Sequence, residues 1–174
     1  GVVMQSMPIV EEFSDDVLTL FENTLKKLQL ARRSEGQLLE NEISKRLQKL
    51  TEEIVKANNL SRQQSQSARD KLLAKLASVK IDIDETRIEQ EIAFSLTRLD
   101  VSEELDRLKM HCQEVAKILR VNEPTGRRLD FLMQELNREA NTLSSKSEII
   151  ELTQTAVEMK VLIEQMREQI QNIE

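Results

Sequence analysis

The chain has 174 residues, 39 % of them hydrophobic, with four Phe and no Trp or Tyr, so any core has to be filled by Leu, Ile, Val and Met as in helical bundles and coiled coils. Gly1, Gly36, Gly126, Pro8 and Pro124 are too few for the turns of a sheet protein, and no apolar run nears the ~18 residues of a membrane helix. The net charge of −6 argues against wholesale coating of nucleic acid, and the lone Cys112 excludes an internal disulfide and a CxxC metal or redox site.

These bounds predict an all-α protein, soluble and suited to a reducing cytoplasm, with a long-helix hairpin and a coiled-coil-like helical bundle. No signal peptide is visible, and a start at Gly1 without Met fits a fragment or a processed product. The charge is uneven. From Lys26 to Lys80 there are 13 Lys/Arg against 6 Asp/Glu, while both ends are acidic. A basic middle suits a local polyanion-binding surface, but on charge alone an ordinary solvated helix face is the favoured reading.

Residues 1–13 read as a loose lead-in. Ser14 with Asp15 and Asp16 reads as a helix N-cap with acids in the first turn. The spacing then predicts a very long helix to about Asn58, with Leu18, Phe21, Leu25 and Leu28, then Leu39, Ile43, Leu47, Leu50 and Ile54 on one stripe. Between the two runs the stripe falls on Arg32 and Glu35, beside Gly36. An ion pair where the helix leaves its partner and a functional pocket are both open readings. Asn58, Asn59 and Ser61 read as a break before a second, exposed helix over Arg62–Lys80, the outer half of a hairpin.

A third segment from Asp84 carries Ile88, Ile92, Leu96 and Leu99. A fourth helix from Ser102 carries the seam Val101, Leu105, Leu108, Cys112, Val115 and Leu119. VNEPTG at 121–126 is the strong loop, because Pro124 and Gly126 both stop a helix. The fifth helix, Arg127 to Lys146, faces inward with Leu129, Leu132, Met133, Leu136, Ala140 and Leu143. The last helix, from about Glu148, keeps a heptad of Ile149, Leu152, Ala156, Met159, Ile163, Met166, Ile170 and Ile173. A stripe that long implies burial against partners, within the chain or between subunits. The division expected is 1–83 as a helical arm or hairpin and 84–174 as a C-terminal bundle, together one helical unit.

Two polar faces could carry chemistry. On the fourth helix Asp100, Glu103, Glu104, Arg107 and His111 recur beside the seam, a set able to bind a metal or shuttle a proton; a solvated flank with a Glu103–Arg107 pair fits the same spacing. On the fifth helix Asp130, Gln134, Asn137 and Asn141 form a polar row bordered by Glu135, Arg138 and Glu139, with Arg127 and Arg128 at its start. Carboxamides are weak choices for a merely solvated helix face and suit hydrogen bonding to a ligand or to another helix. The short loop predicts that the fourth and fifth helices pack antiparallel, with Arg107 and His111 on the side of part of this row.

The residues GRRLDFLMQELNREANTLSSKS from Gly126 and VEMKVLIEQMREQIQNIE at the end closely resemble the C-terminal region of the YicC family, in its proteobacterial branch. LDVSEELDRLKMH at 99–111 resembles that family's EEL-x-RL-xx-H segment, ARRSEG at 31–36 its R-xx-EG motif, and RIEQE at 87–91 also matches. After SSK the family often continues Ala-Asn-Asp, where Ser147 and Glu148 stand here. The resemblance implies a bacterial, stress-associated, metal-dependent endoribonuclease that assembles as ring-like homo-oligomers, reportedly hexamers, around an RNA channel. It also implies an N-terminal α/β region that this chain lacks. By resemblance His111, Glu104, Asp130, Glu135 and Glu139 are the expected catalytic residues, the four acids being candidate ligands for Mg or Mn. Arg107, Arg127, Arg128, Asn137, Arg138, Asn141 and Arg32 are expected to bind RNA. No DNA or membrane partner is expected. The other class of function is a non-catalytic helical scaffold for assembly or partner binding, which the scarcity of base-stacking aromatics favours.

Overall fold

The computed structural model describes residues 14–78, 85–121 and 125–171. Among them are five helices and no strand: α1 (Ser14–Ser78), α2 (Glu85–Leu99), α3 (Ser102–Ile118), α4 (Gly126–Lys146) and α5 (Ile150–Ile170). The expected loose lead-in over 1–13, the start of the third segment at Asp84, Pro124 of the loop and the final Ile173 lie outside the described residues. The all-α expectation holds. One boundary does not: α1 runs straight through Asn58–Ser61. The helix survives there because Ala57 and Gln64 are anchored in the core, while Ser61 and Ser65 turn their hydroxyls back to the carbonyls of Asn58 and Ser61, at 2.9 and 3.1 Å.

The chain divides into two compact units, Gly1–Glu40 and Asn41–Glu174. The described part of the first is the opening of α1, with Asp15 and Asp16 in the first turn. Its stripe of Leu18, Phe21, Leu25 and Leu28 is exposed. Gly36 has no positive φ, and a Cβ added to it would meet nothing within 4 Å, so neither backbone nor packing requires glycine there.

The second unit is a bundle whose core takes Ile43, Leu47, Leu50 and Ile54 from α1, the seams of α3 and α4, and the heptad of α5. Cross-helix bonds fix the directions. Arg107 meets Glu139 and Glu104 meets Lys146, so α3 and α4 are antiparallel. Asp130 meets Arg167, so α4 and α5 are antiparallel. Arg46 meets Gln165 and Gln64 meets Glu148, so α1 also runs against α5. Leu99 at the end of α2 comes back to Gln64 of α1, while the hairpin expected between a helix ending at Asn58 and a second helix over 62–80 is absent, because both stretches, as far as Ser78, belong to the single helix α1.

Leu152, Ala156, Met159, Ile163, Met166 and Ile170 of the last-helix heptad are buried within this unit. That stripe therefore gives no reason for self-association. No described helix is long and apolar enough to cross a membrane. The described phenylalanines, Phe21, Phe94 and Phe131, are all exposed, so they leave the core aliphatic.

Candidate functional site

Helix α4 carries two polar edges, one against α3 and the other against α5. Residues 128, 135, 139 and 146 fall on one side of its apolar stripe because their spacings stay near whole helical turns. Arg128 pairs with Glu114 of α3, Glu139 with Arg107 at 3.3 Å, and Lys146 with Glu104 at 2.8 Å. Arg107 is also held by Glu103, the i,i+4 pair expected from the sequence. The hydrogen bonds that Arg107 donates to the Glu139 and Glu103 carboxylates raise its pKa above its already high ordinary value, which keeps it a fixed cation.

Glu104 and Glu139 are both buried. Lys146 binds one oxygen of Glu104 and the carbonyl of Asp100, each at 2.8 Å, while Glu104 Oε2 has no hydrogen-bond partner. Glu135 pairs with Arg138 at 3.1 Å. His111 is half-buried one turn beyond Arg107. Cys112, next to it, points into the core; burial pushes its thiol up to about 12, so it is a packing residue rather than a nucleophile.

Asp130, Gln134, Asn137 and Asn141 occupy the other edge. Asp130 pairs with Arg167 of α5 at 3.4 Å and accepts from Gln134 at 2.8 Å. Asn141 donates to Asn137 at 3.4 Å. An open groove of about 390 Å³ follows, lined by Met133, Gln134, Asn137, Arg138, Asn141, Thr142 and Arg167. The expectation of one face is therefore divided. Arg107 shares its edge with Glu139, whereas the Asp130 row lies at the α5 edge. The row was placed correctly on one helix face, but its packing neighbour was not legible from spacing. Arg32 lies in the first compact unit.

The four acids expected to hold Mg or Mn do not converge. Each faces a cation: Glu104 with Lys146, Asp130 with Arg167, Glu135 with Arg138 and Glu139 with Arg107. Among the described residues no group of three His, Cys, Asp or Glu side chains could hold a metal ion. In this arrangement the residues present do not fit a resident metal, and no chemistry below is routed through one.

Sequence reasoning passed over Arg167, whose partner is 37 residues away, and Phe131. The signal for Phe131 was the spacing 127, 131, 134, 138, 141, a second stripe on the outward side of α4. Arg127, Phe131, Gln134, Arg138 and Asn141 are all exposed.

Residues 57–174 match the family model described as endoribonuclease YicC-like, C-terminal. The chain belongs to the YicC-like endoribonuclease family. Over all 174 residues it is 44 % identical to a protein of Haemophilus influenzae named "Probable endoribonuclease YicC", covering 61 % of that relative. A protein of Clostridioides difficile with the same name is 37 % identical over 156 residues, which are 88 % of this chain and 53 % of the relative. The chain thus spans little more than half the length of these YicC relatives. Two of the segments that resemble the family, 99–111 and 126–147, lie largely in the α3–α4 hairpin.

Proposed function

We propose that the chain is the RNA-engaging helical portion of an endoribonuclease that hydrolyses RNA phosphodiesters. The observation that carries this reading is that the two neighbouring segments that resemble the family, 99–111 and 126–147, lie in one antiparallel hairpin, clamped by Arg107–Glu139 and Lys146–Glu104. Arg127, Arg128 and Arg138 are exposed at its rim, where guanidinium groups can take phosphate oxygens two at a time. His111 sits at the same hairpin, one turn from Arg107, as an imidazole able to serve as general acid or base. The paired acids Glu139 and Glu104 hold the cations in place. Dependence on Mg or Mn is proposed for the longer protein, with its ligands not assembled by the four acids as they stand here. A bacterial cytoplasmic setting and a role under stress belong to the same proposal.

Self-association is part of it too, and its support is the exposed stripe of α1 rather than the buried stripe of α5. The scaffold reading is favoured by the ion pair that each candidate acid makes with a cation of the chain itself. RNA cleavage assayed with Mg, with Mn and with EDTA separates the two. The assay is run on this chain and on a version extended to the length of its relatives. Cleavage by the extended protein that EDTA abolishes is the expected result. No cleavage by either under any of these conditions would leave the scaffold.

A further inference from the structure

We propose that the outward stripe of α4 is a track for single-stranded RNA, in which Phe131 stacks on a base and Gln134 and Asn141 read its edge. The inference rests on the RNA reading above and adds which form of RNA is taken, and by which groups. Arg127, Phe131, Gln134, Arg138 and Asn141 follow 4-3-4-3 spacing, which aligns them along one side of the helix over about 21 Å. All five are exposed, and Phe131 keeps 58 % of its surface open. The core has no use for this ring, since Leu129, Leu132, Met133 and Leu136 already fill the inward face of the same turns. The ring is therefore free to meet a partner from outside the chain.

The company of the ring indicates that partner. No acid lies in the stripe, although the chain holds 31 Asp and Glu and is net acidic. Guanidinium groups stand on both sides of Phe131, at 127 and 138. They can bind phosphate in pairs of hydrogen bonds or lie against a base. Each carboxamide offers a donor and an acceptor together, which is the pattern a base edge presents. The groove beside Gln134 and Asn141, about 390 Å³, leaves room for a base turned toward α5. Duplex RNA cannot use such a surface, because its base faces are stacked and its edges paired. Unstacked bases resting on an aromatic ring are how proteins take single strands.

The chain contains no Trp, so Phe131→Trp puts one fluorophore at the proposed platform. The probes are single-stranded oligouridine and oligoadenine of about ten nucleotides and an RNA duplex of the same length, in EDTA to prevent cleavage. The expected results are quenching of the Phe131→Trp fluorescence by the single strands and not by the duplex, and about ten-fold weaker single-strand binding by Phe131→Ala. Arg138→Ala should weaken single-strand binding and lower its salt dependence by about one counterion. Single-strand binding by Phe131→Ala equal to the parent, or equal quenching by the duplex, overturns the inference while leaving the RNA reading intact. A parent chain that binds neither form overturns both. A change of molecular mass in Phe131→Ala, with RNA binding unchanged, makes the ring a contact between copies and also overturns it.

Discussion

Replacing Gln64 by Leu should destabilise the second unit by about 2–3 kcal/mol, although residue 64 is not itself a candidate site residue. The side chain is 1 % exposed and ties together three helix ends. Its amide donates to the carbonyls of Lys146 at 3.1 Å and Leu99 at 3.5 Å. Its oxygen accepts from the backbone N–H groups of Glu148 at 2.7 Å and Ile149 at 3.3 Å. Two of these bonds are short enough to count fully, at about 1 kcal/mol each, and the groups abandoned without water cost about 1–2 kcal/mol more. The extra apolar burial of Leu offsets roughly 1 kcal/mol. A melting temperature lowered by about 4–12 °C follows for a chain of this size. Urea unfolding followed by helicity measures it, with Gln63→Leu at the exposed neighbouring position as a control expected within about 0.5 kcal/mol of the parent. If Gln64→Leu also stays within that range at unchanged m, the clamp does not hold the helix ends and the reasoning fails.

Gly36→Ala should stabilise α1 by about 0.5–1 kcal/mol, because a helical glycine with open space around its Cβ position only adds freedom to the unfolded chain; a melting temperature that drops would refute it. Hydrogen bonds from the Ser102 side chain and backbone hold the Asp100 carboxylate below its ordinary 3.8, so its contribution is present above that value and is lost as pH falls through the lower folded value. Acid titration of Asp100→Asn should lack that share of the loss below about pH 4, and a profile identical to the parent's contradicts the assignment. Leu18→Lys with Leu25→Lys should reduce the molecular mass of any assembly without lowering helicity, since both positions are exposed in the chain itself. An unchanged mass would remove the α1 stripe from the assembly surface.

The sequence was informative wherever one helix decides the matter alone. Leu105, Leu108, Cys112 and Val115 were legible as a seam and are buried. At the end of that seam the buried position is Ile118, with Leu119 only half-covered, because the helix gives out there. Leu18 to Leu28 has the same spacing as Ile43 to Ile54, yet the first run is exposed and the second lies at the centre of the core. Periodicity says which face is apolar, not what covers it. The same limit applied to the site. Glu103–Arg107 was readable as neighbours one turn apart, whereas Arg107–Glu139 and Asp130–Arg167 depend on which helix packs against which edge. The break expected at Asn58–Ser61 rested on residue types that favour turns. Tertiary anchoring by Ala57 and Gln64 outweighed that preference.

RNA cleavage by the protein extended to the length of its relatives, carrying His111→Ala or Glu135→Gln with Asp130→Asn, tests the central claim most directly. Glu135 and Asp130 stand on opposite edges of α4, so the double variant disables both edges at little packing cost. The account predicts a loss of about 100-fold or more in each variant, with helicity and molecular mass unchanged. Near-parental cleavage by folded, correctly assembled variants would contradict it and place the working groups outside the α3–α4 hairpin.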